Sequence, residues 1–551
     1  MQSAIKEALE EAVKSFFGEE TKVELTRPDA QFGDLATNVA LVVAKRAGQK
    51  PQEVAHKLAD TLEQVDGVRE TNVAGPGFIN IFLSDEALVE SIAQPPNLNG
   101  SPARGLVYVV ETNNPNPFKD LHIGHAYNCI VADTVANLID HGGAHVHRVG
   151  YHGDVGLHVG KSMWAILKQI DNDPDKLGDI SLKDRPKFMS DCYQRGSSAY
   201  EEDALAKERI EELAKQSFNP SGDYKKVYEI CKAWSFDYID ATLERLGSKP
   251  VEKHYMESAA NAMGERTVRD HIGDVFSESN GAVVFAGEAY GLHTRVFIAS
   301  RGTTLYEARD LGLMQLKQTD FHPAKSLIVT GNEQKEYFKV VFKAAELALP
   351  ELAGVTENIS TGTVKLSTGK MSSRTGQVLN IEWLFDQLKA ALVERGGSEH
   401  DEATLIGALR YQMLKTSIGS DLVFDIEKAL SLEGNSGPYL QYAHARAASI
   451  LKKAGQKPTR PSDESFDASE RQLVVKLDQF EEVLVKACRE LTPHVVCNYL
   501  YELAKEFNRF YELSRIVGDE REGLRLWLVE RYKNTLAQGL TVLGIPAPDK
   551  L

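Results

Sequence analysis

The sequence predicts an α/β protein in which a parallel β-sheet carries a helical insertion, with a small α/β domain before it and an all-α bundle after it. The length of 551 residues exceeds what one hydrophobic core supports and indicates several domains. The apolar run Leu106–Val110 is typical of a strand buried on both faces of a parallel sheet. From Thr404 onwards apolar residues recur at helical spacing, which predicts the terminal bundle.

The first domain is predicted over residues 1–95. Ile5 and Leu9 lie on one face of a predicted helix. Residues 78–83, FINIFL, have the composition of a strand. The stretch 94–102, QPPNLNGSP, is dense in turn formers and predicts a linker to the next domain.

A βαβ unit opens the central domain. After the first strand and a loop, Val131, Val135 and Leu138 follow helical spacing, and Gly142-Gly143 ends that helix. Another strand pattern follows at 146–149.

The rest of the central domain is predicted to alternate between helical and strand patterns. Residues 161–270 are mostly helical and charged, and strand patterns return at 282–285, 295–299 and 326–330. We therefore expect a central domain over 103–395 with a helical insertion at about 161–280. The all-α bundle is then expected over 396–551.

Composition limits the class of protein. Apolar residues make up 42% and charged residues 26% of the chain, as in a folded protein rather than a disordered one. The net charge of −16 means that a nucleic-acid site would need a local basic patch. Five scattered cysteines support neither a disulfide framework nor a thiolate zinc site.

Targeting signals are not expected. The N-terminus has no signal-peptide pattern, and no apolar run reaches the length of a membrane span. The sequence therefore predicts residence in a reducing cytoplasm, with no membrane partner.

The segment 111–125, ETNNPNPFKDLHIGH, joins the end of the first strand to the start of a helix. Ligands bind at this end of the strands in open α/β sheets. A helix N-terminus binds anions, His122 and His125 add hydrogen-bond donors, and Gly124 permits close approach of the backbone. The segment predicts an anion site, with a plain histidine helix cap as the alternative.

A second segment, 367–376, reads STGKMSSRTG. A basic loop with hydroxyl groups and flanking glycines is suited to closing over a polyphosphate, with Lys370 as a point charge. A solvated loop is the alternative interpretation.

Together these segments resemble the HIGH and KMSKS signatures of class I aminoacyl-tRNA synthetases. The surrounding residues resemble the arginyl-tRNA synthetases in particular. The matching residues are Glu111, Asn116 and Lys119, Gly153-Asp154, LYEARD at 305–310, QFGD at 31–34 with Asn38, GPGFIN at 75–80, ALRY at 408–411 and QYAHAR at 441–446.

The resemblance implies a Rossmann-like catalytic domain and a two-step reaction. Arginine and ATP give arginyl-adenylate and pyrophosphate, and the arginyl group then esterifies the terminal adenosine of tRNA(Arg). Mg²⁺ arrives with ATP and is held mostly by the phosphates, so no tightly bound metal is expected. The implied catalytic residues are His122, His125, Lys370 and Lys119, and the implied ATP contacts are His122, Gly124, His125, Lys370, Met371, Ser372, Ser373 and Arg374.

An arginine pocket is also implied. Two carboxylates, Glu111 and Asp310, are suited to bracketing a guanidinium group. Asn116 is assigned to the α-amino or carboxylate group, Tyr306 to the side chain, and Gln334 to the rest of the pocket.

The N-terminal domain is implied to contact an unpaired base in the tRNA D-loop. Strand alternation predicts Phe78 and Asn80 outside, because Ile79 and Ile81 form the better core face. The C-terminal bundle is implied to bind the anticodon, and a monomer is expected.

The chain departs from the family pattern at three places. Ala126-Tyr127-Asn128 stands where Leu-Arg-Ser or Leu-Arg-Thr is common, Thr375 where a further Lys is common, and Val155 where Trp is frequent. The histidines at 141, 145, 147, 152 and 158 have mixed spacings that predict no metal site.

Three other functions stay open on the sequence alone. They are a class I synthetase for lysine or glutamine, a free-standing nucleotidyltransferase, and a non-catalytic tRNA-binding paralogue.

Overall fold

The computed structural model describes residues 1–367, 380–398, 400–462 and 465–551. Its N-terminal part packs four helices against a three-stranded antiparallel sheet of order β1-β3-β2. Ile5, Leu9 and Ile79 are fully buried there. The elements are α1 (Gln2–Phe17), β1 (Leu35–Thr37), α2 (Val39–Ala47), α3 (Pro51–Leu62), β2 (Val68–Ala74), β3 (Phe78–Leu83) and α4 (Asp85–Ala93).

Strand β3 confirms one of the two predicted outward side chains. Phe78 is 42% exposed, whereas Asn80 is 7% exposed, so the predicted outward position of Asn80 is wrong. Asn80 lies in the middle of the central strand and has Ala36 and Asn72 as neighbours on its two sides. Phe78 begins the strand and pairs with Ala74 on β2, which leaves its ring open to solvent.

The predicted βαβ unit is present. It consists of β4 (Val107–Asn113), α5 (Ile123–His141) and β5 (His145–His152), with β4 and β5 parallel. After β5 the chain forms four helices with a separate apolar core, which includes Met163 and Trp234. They are α6 (Leu157–Gln169), α7 (Arg185–Glu202), α8 (Ala204–Gln216) and α9 (Gly222–Arg245).

The chain returns to the sheet earlier than the sequence predicts. The elements after α9 are β6 (Lys253–Met256), α10 (Glu257–Asp270), β7 (Ser277–Ser279), β8 (Ala282–Phe285), β9 (Arg295–Ile298), α11 (Tyr306–Phe321), β10 (Lys325–Gly331), α12 (Lys335–Ala348) and β11 (Thr356–Thr361). The parallel sheet has the order β11-β10-β4-β5-β6. Since β6 is an edge strand of that sheet, the expected insertion at about 161–280 is too long.

Strands β7, β8 and β9 form a separate antiparallel sheet. The strands predicted at 282–285 and 295–299 therefore exist, but they lie outside the parallel sheet. Their apolar side chains pack with those of α11 and α12.

The C-terminal part is helical apart from a two-stranded parallel sheet. Its elements are β12 (Val364–Leu366), α13 (Ile381–Glu394), α14 (Glu402–Leu414), β13 (Leu422–Phe424), α15 (Ile426–Ala429), α16 (Gly437–Lys453), α17 (Ala468–Asp478), α18 (Phe480–Glu490), α19 (Pro493–Leu513) and α20 (Glu522–Val542). Within the described residues, none of the helices combines the length and apolar character that crossing a bilayer requires.

One buried arginine connects three parts of the chain. Arg410 on α14 is completely buried, and its guanidinium group donates to Asp133 on α5 at 2.7 Å. The same group donates to the carbonyl oxygens of Leu246, after α9, at 3.0 Å and of Leu543, after α20, at 2.7 Å.

We expect Arg410→Met to lower the free energy of unfolding by about 3–5 kcal/mol, because it leaves a buried carboxylate without its main partner. The guanidinium of Arg148, at 3.8 Å from Asp133, leaves that carboxylate only a longer ion pair. Urea denaturation followed by circular dichroism measures the change. The matched control is Lys505→Met, which removes an exposed ion pair to Glu502 and is expected to have little effect. Equal stabilities of the two variants would contradict the assignment.

Candidate active site

A cavity of about 1010 Å³ opens at the carboxyl ends of β4, β5 and β10, beside the start of α5. It brings together most of the residues that the sequence assigns to ATP and arginine. The predicted residues on its wall are Glu111, Asn116, His122, Gly124, His125, Tyr306, Asp310 and Gln334.

Other predicted residues lie elsewhere. Lys119 is absent from the cavity wall but is close enough to lower the pKa values of His122 and His125. Phe78 and Asn80 belong to the N-terminal sheet. Lys370, Met371, Ser372, Ser373 and Arg374 lie outside the described residues.

The two histidines cap α5 and also form the cavity wall. The backbone N–H of His125 donates to Nδ1 of His122, and the N–H of His122 donates to Nδ1 of His125, each at 3.3 Å. Their rings stack with centroids 3.6 Å apart. A Cβ atom on Gly124 would lie 3.0 Å from Nδ1 of His122, so glycine keeps this cap compact. The two histidines therefore cap α5 and also line the cavity, and the anion site stays a prediction.

Burial keeps both imidazoles neutral. It lowers the pKa of His122 to about 4, with a smaller contribution from Lys119. Burial, then His122 and Lys119, lowers the pKa of His125 to about 3. Because Nδ1 of each ring accepts a backbone N–H, the single ring proton resides on Nε2. The start of α5 therefore offers two Nε2–H donors beside its own positive dipole end.

The other end of the cavity is acidic. Tyr337 on α12 donates its hydroxyl to Oδ2 of Asp310 at 2.6 Å. The pKa of Asp310 is raised to about 7, mainly by burial; Glu111 and Glu257 add to the rise, whereas Tyr337 and Lys317 oppose it. Asp310 therefore titrates near neutral pH when the cavity contains no cation.

Glu111 is already paired inside the protein. Its Oε1 atom accepts from Lys317 Nζ at 2.6 Å, and its Oε2 atom accepts from the Asn114 amide at 2.7 Å. The side chains of Glu111 and Lys317 are each 1% exposed. Of the two predicted acids, Glu111 is thus paired with a lysine, whereas Asp310 is hydrogen-bonded only to a neutral tyrosine among the described residues.

Helices α10 and α11 approach closely enough to place acids from both at the cavity. A Cβ atom on Gly264 would lie 1.7 Å from the carbonyl oxygen of Ala308, and one on Gly312 would lie 2.1 Å from that of Ala260. The crossing places Glu257, which is ion-paired with Arg309, on the cavity wall. Burial raises the pKa of Glu257, and Arg309 opposes that rise.

Polar contacts also fix the loop after β4. The Oδ1 atom of Asn116 accepts from the backbone N–H of Gly153 at 2.7 Å. Oxygen Oδ1 of Asn114 accepts from the N–H of Tyr151 at 3.0 Å. The loop is therefore attached to the end of β5, and the amide nitrogen of Asn116 is left for other partners.

Sequence reasoning missed several residues of the site. Tyr337 and Glu257 lie on helices in which the sequence shows no motif. The only sequence feature that connects Lys317 with the site is its spacing of seven residues from Asp310. Tyr127, at the position where Arg is common, is 1% exposed and lines the cavity. Among the described residues its hydroxyl has no hydrogen-bond partner.

No metal centre is built from the described residues. They contain no group of three or more histidine, cysteine or acidic side chains arranged to hold an ion. Of the five clustered histidines, His152 bonds the carbonyl oxygen of Pro115 at 2.6 Å and His158 that of Gly153 at 2.7 Å. These two histidines serve loop structure around the cavity.

Comparison with known proteins agrees with this geometry. The family model of the catalytic domain of class I (R) tRNA synthetases matches residues 100–425. The arginyl-tRNA synthetase N-terminal domain matches residues 1–83, and the DALR anticodon binding domain matches residues 440–551. The parallel sheet with its histidine-capped helix is thus that of a class I aminoacyl-tRNA synthetase.

Individual relatives narrow the class. Arginine–tRNA ligases of Shewanella sp. (strain ANA-3) and Shewanella frigidimarina (strain NCIMB 400) are 30% and 31% identical to the chain, with 100% of both proteins covered. The chain belongs to the arginyl-tRNA synthetase family.

Solved structures show the same architecture. The Thermus thermophilus arginyl-tRNA synthetase superposes with a TM-score of 0.83 at 26% identity and covers 100% of both chains. The Plasmodium falciparum arginyl-tRNA synthetase superposes with a TM-score of 0.82 at 21% identity, covering 100% of this chain and 99% of that one, and shows the same fold.

Proposed function

We propose that this chain is an arginine–tRNA ligase, which activates arginine with ATP and then esterifies the terminal adenosine of tRNA(Arg). The observation that carries the proposal is the single cavity with neutral histidine donors at one end and Asp310 at the other. A nucleotide phosphate and a cationic side chain are thereby brought into one site. Membership of the arginyl-tRNA synthetase family supports this assignment.

The first step needs no side-chain nucleophile. A carboxylate oxygen of arginine attacks the α-phosphorus of ATP, and the bond to pyrophosphate breaks. The Nε2–H groups of His122 and His125 and the start of α5 stabilise the charge that builds on the phosphate oxygens. Lys119 and, by family resemblance, Lys370 are assigned to the departing pyrophosphate. ATP enters as its Mg²⁺ complex, with the ion held mostly by phosphate oxygens.

Arginine is assigned to the acidic end of the cavity. The carboxylate of Asp310 attracts the guanidinium group, and Glu111 contributes acceptor positions on a carboxylate that is fixed in place. Tyr306, which is 67% exposed, is assigned to covering the side chain. The amide nitrogen of Asn116 and the side chain of Gln334 are assigned to the α-amino and carboxylate groups.

The tRNA is assigned to two distant surfaces, the N-terminal sheet and the C-terminal helices. The exposed ring of Phe78 is the group offered to an unpaired D-loop base, and the buried Asn80 is excluded from direct stacking. The anticodon is assigned to the C-terminal helices. We further propose that the protein acts as a monomer in the cytoplasm.

Amino-acid-dependent exchange of pyrophosphate into ATP tests the whole assignment. We expect exchange with arginine, because Asp310 binds a cationic side chain whose carboxylate can then meet the α-phosphate of ATP. The family resemblance implies that this exchange requires tRNA. Lysine and glutamine serve as competing substrates. Robust exchange with either of them in place of arginine would overturn the specificity, and no exchange with any amino acid would favour a non-catalytic paralogue.

We expect Asp310→Asn to raise the arginine KM by roughly 10- to 150-fold, since a charge-assisted bond contributes about 1.5–3 kcal/mol. The KM for ATP should change little. In the parent protein the arginine KM should also rise as pH falls below about 7, because the free acid must lose a proton before it binds a cation. Asp310→Asn should abolish that dependence.

Steady-state exchange assays at a series of pH values measure both effects. Glu336→Gln is the matched control, since it neutralises an exposed acid on the neighbouring helix α12 that pairs with Lys339. An arginine KM within about twofold of the parent's for Asp310→Asn would place the guanidinium site elsewhere.

Phe78→Ala should weaken tRNA binding by about 1–3 kcal/mol, because it removes one base-stacking platform. Arginine and ATP KM values should stay unchanged. The dissociation constant of tRNA at fixed salt measures the effect. Phe16→Ala, which removes another exposed ring of the N-terminal part (52% exposed), is the control. If the two variants bind tRNA equally well, Phe78 has no role in D-loop recognition.

A further inference from the structure

We propose that Lys317 is a positioning residue for substrate selection: its ammonium group neutralises Glu111, so that Asp310 rather than Glu111 supplies the charge that binds a monocationic side chain. This inference rests on the proposed function and assigns a role to a residue that the motifs do not include. It depends on the ion pair beneath the cavity and on the face of α11 that carries both Lys317 and Asp310.

Asp310 and Lys317 lie on the face of α11 that borders the cavity. Asp310 and Lys317 are seven residues apart, which is close to two helical turns and places them on one face. Tyr306, Asp310 and Leu313 on that face line the cavity, and Lys317 lies below them at 1% exposure. The same helix therefore presents an acid to the ligand and a cation to the protein interior.

The Lys317–Glu111 pair is enclosed by protein. Its N–O distance is 2.6 Å, and both side chains are 1% exposed. Leu313, one turn before Lys317, belongs to a buried apolar cluster with Val109 and Tyr255. A charge in such surroundings is retained only when its partner is held closely, so the pair fixes the end of β4 against α11.

Two of the three acids grouped around Asp310 are neutralised by cations. Glu111 pairs with Lys317 and Glu257 pairs with Arg309, while Glu333 lies on another part of the cavity wall. Asp310 instead accepts from a neutral tyrosine, Tyr337. When Asp310 is ionised, it is the one acid of these three whose charge an incoming cation meets. A side chain with one positive charge matches that count, and a neutral isostere leaves the acid unpaired.

The pH dependence of binding reports on this arrangement. The titratable and charged groups around Asp310 come from five elements and from the turn before α12. They are Glu111 on β4, Tyr151 on β5, Glu257 on α10, Tyr306, Glu307, Arg309 and Lys317 on α11, Glu333 in the turn, and Tyr337 on α12. The ammonium group of Lys317 holds the pKa of Asp310 lower than burial alone would leave it. Removing that ammonium should therefore move the pH midpoint of arginine binding upward.

The decisive experiment compares Lys317→Met with Lys317→Arg in arginine-dependent pyrophosphate exchange. For Lys317→Met we expect the pH midpoint of the arginine KM to rise by about one unit, with a several-fold higher KM at neutral pH that approaches the parental value at alkaline pH. Lys317→Arg keeps the cation and should restore the parental midpoint. The KM for ATP serves as the internal control.

A merely structural role for Lys317 predicts different data. The arginine KM of Lys317→Met would then rise equally at every pH, and the midpoint would stay at the parental value. That result, or an equal midpoint shift in Lys317→Arg, would overturn the inference.

If Lys317→Met fails to fold, a second comparison tests the inference: the arginine KM of Glu111→Gln against that of the double variant Glu111→Gln/Lys317→Met. Glu111→Gln alone leaves the buried ammonium group of Lys317 uncompensated beneath the acidic end of the cavity, so the arginine KM should rise roughly 10- to 150-fold. The double variant restores the net charge of the pocket and should recover most of that loss. A double variant no better than Glu111→Gln would overturn the inference.

The proposed function fails separately from this inference. A parent protein without arginine-dependent exchange refutes the assignment as an arginine–tRNA ligase. Normal exchange by the parent together with an unshifted midpoint in Lys317→Met refutes only the role of Lys317.

Discussion

The position of the two histidines at the start of α5 depends on the buried ion pair between Arg410 and Asp133. Asp133 lies on α5, the helix whose first turn carries both histidines. Arg410 attaches that helix to the carbonyl oxygens that follow α9 and α20. Thr134 on the same helix also accepts from Arg410, at 3.0 Å. Because these partners are buried or belong to the main chain, a shift of any one of them breaks a buried hydrogen bond. One guanidinium group thus joins α5 to the segments that follow α9 and α20.

Desolvation gives the two ends of the cavity their different chemistry. At the start of α5 desolvation lowers the pKa values of the two histidines, so both imidazoles are neutral hydrogen-bond donors at neutral pH. At α11 it raises the pKa of Asp310, which leaves an acid that responds strongly to a cation. Burial thus disfavours charge both on the histidines and on Asp310.

Local patterns in the sequence predicted the elements but not all of their partners. The periodicity of Ile5 and Leu9 and the apolar run at β4 were enough, because burial on one face or on both leaves a repeating signal. Strand β6 has only four residues, KHYM, and no alternation to reveal it. Asn80 is buried because β3 lies between two other strands, and the residues of β3 alone do not show which strands flank it.

The candidate site was predictable only where motifs exist. His122 and His125 were predicted from their place at the start of a helix, Glu111 and Asp310 from the family resemblance, and the structure brings all four to one cavity. Lys317 and Tyr337 decide the charge state of that cavity, yet each is an ordinary residue in a helical segment. Their importance arises from tertiary contacts that join residues 206 and 27 positions apart. Single-residue chemistry in the sequence cannot indicate such pairings.

The arrangement of arginines also bears on how an acidic chain holds a polyanion. Arg27 donates to Asp478 at 2.6 Å, and Arg471 donates to Asp34 at 2.7 Å, so these cations join the N-terminal part to α17 rather than facing solvent. With a net charge of −16 and such cations used internally, nonspecific attraction to phosphates is weak. The stacking of a base that we propose for the exposed ring of Phe78 is an interaction that does not depend on net charge. Since the internal ion pairs hold the N-terminal sheet against the helical bundle before tRNA arrives, binding need not order one part relative to the other.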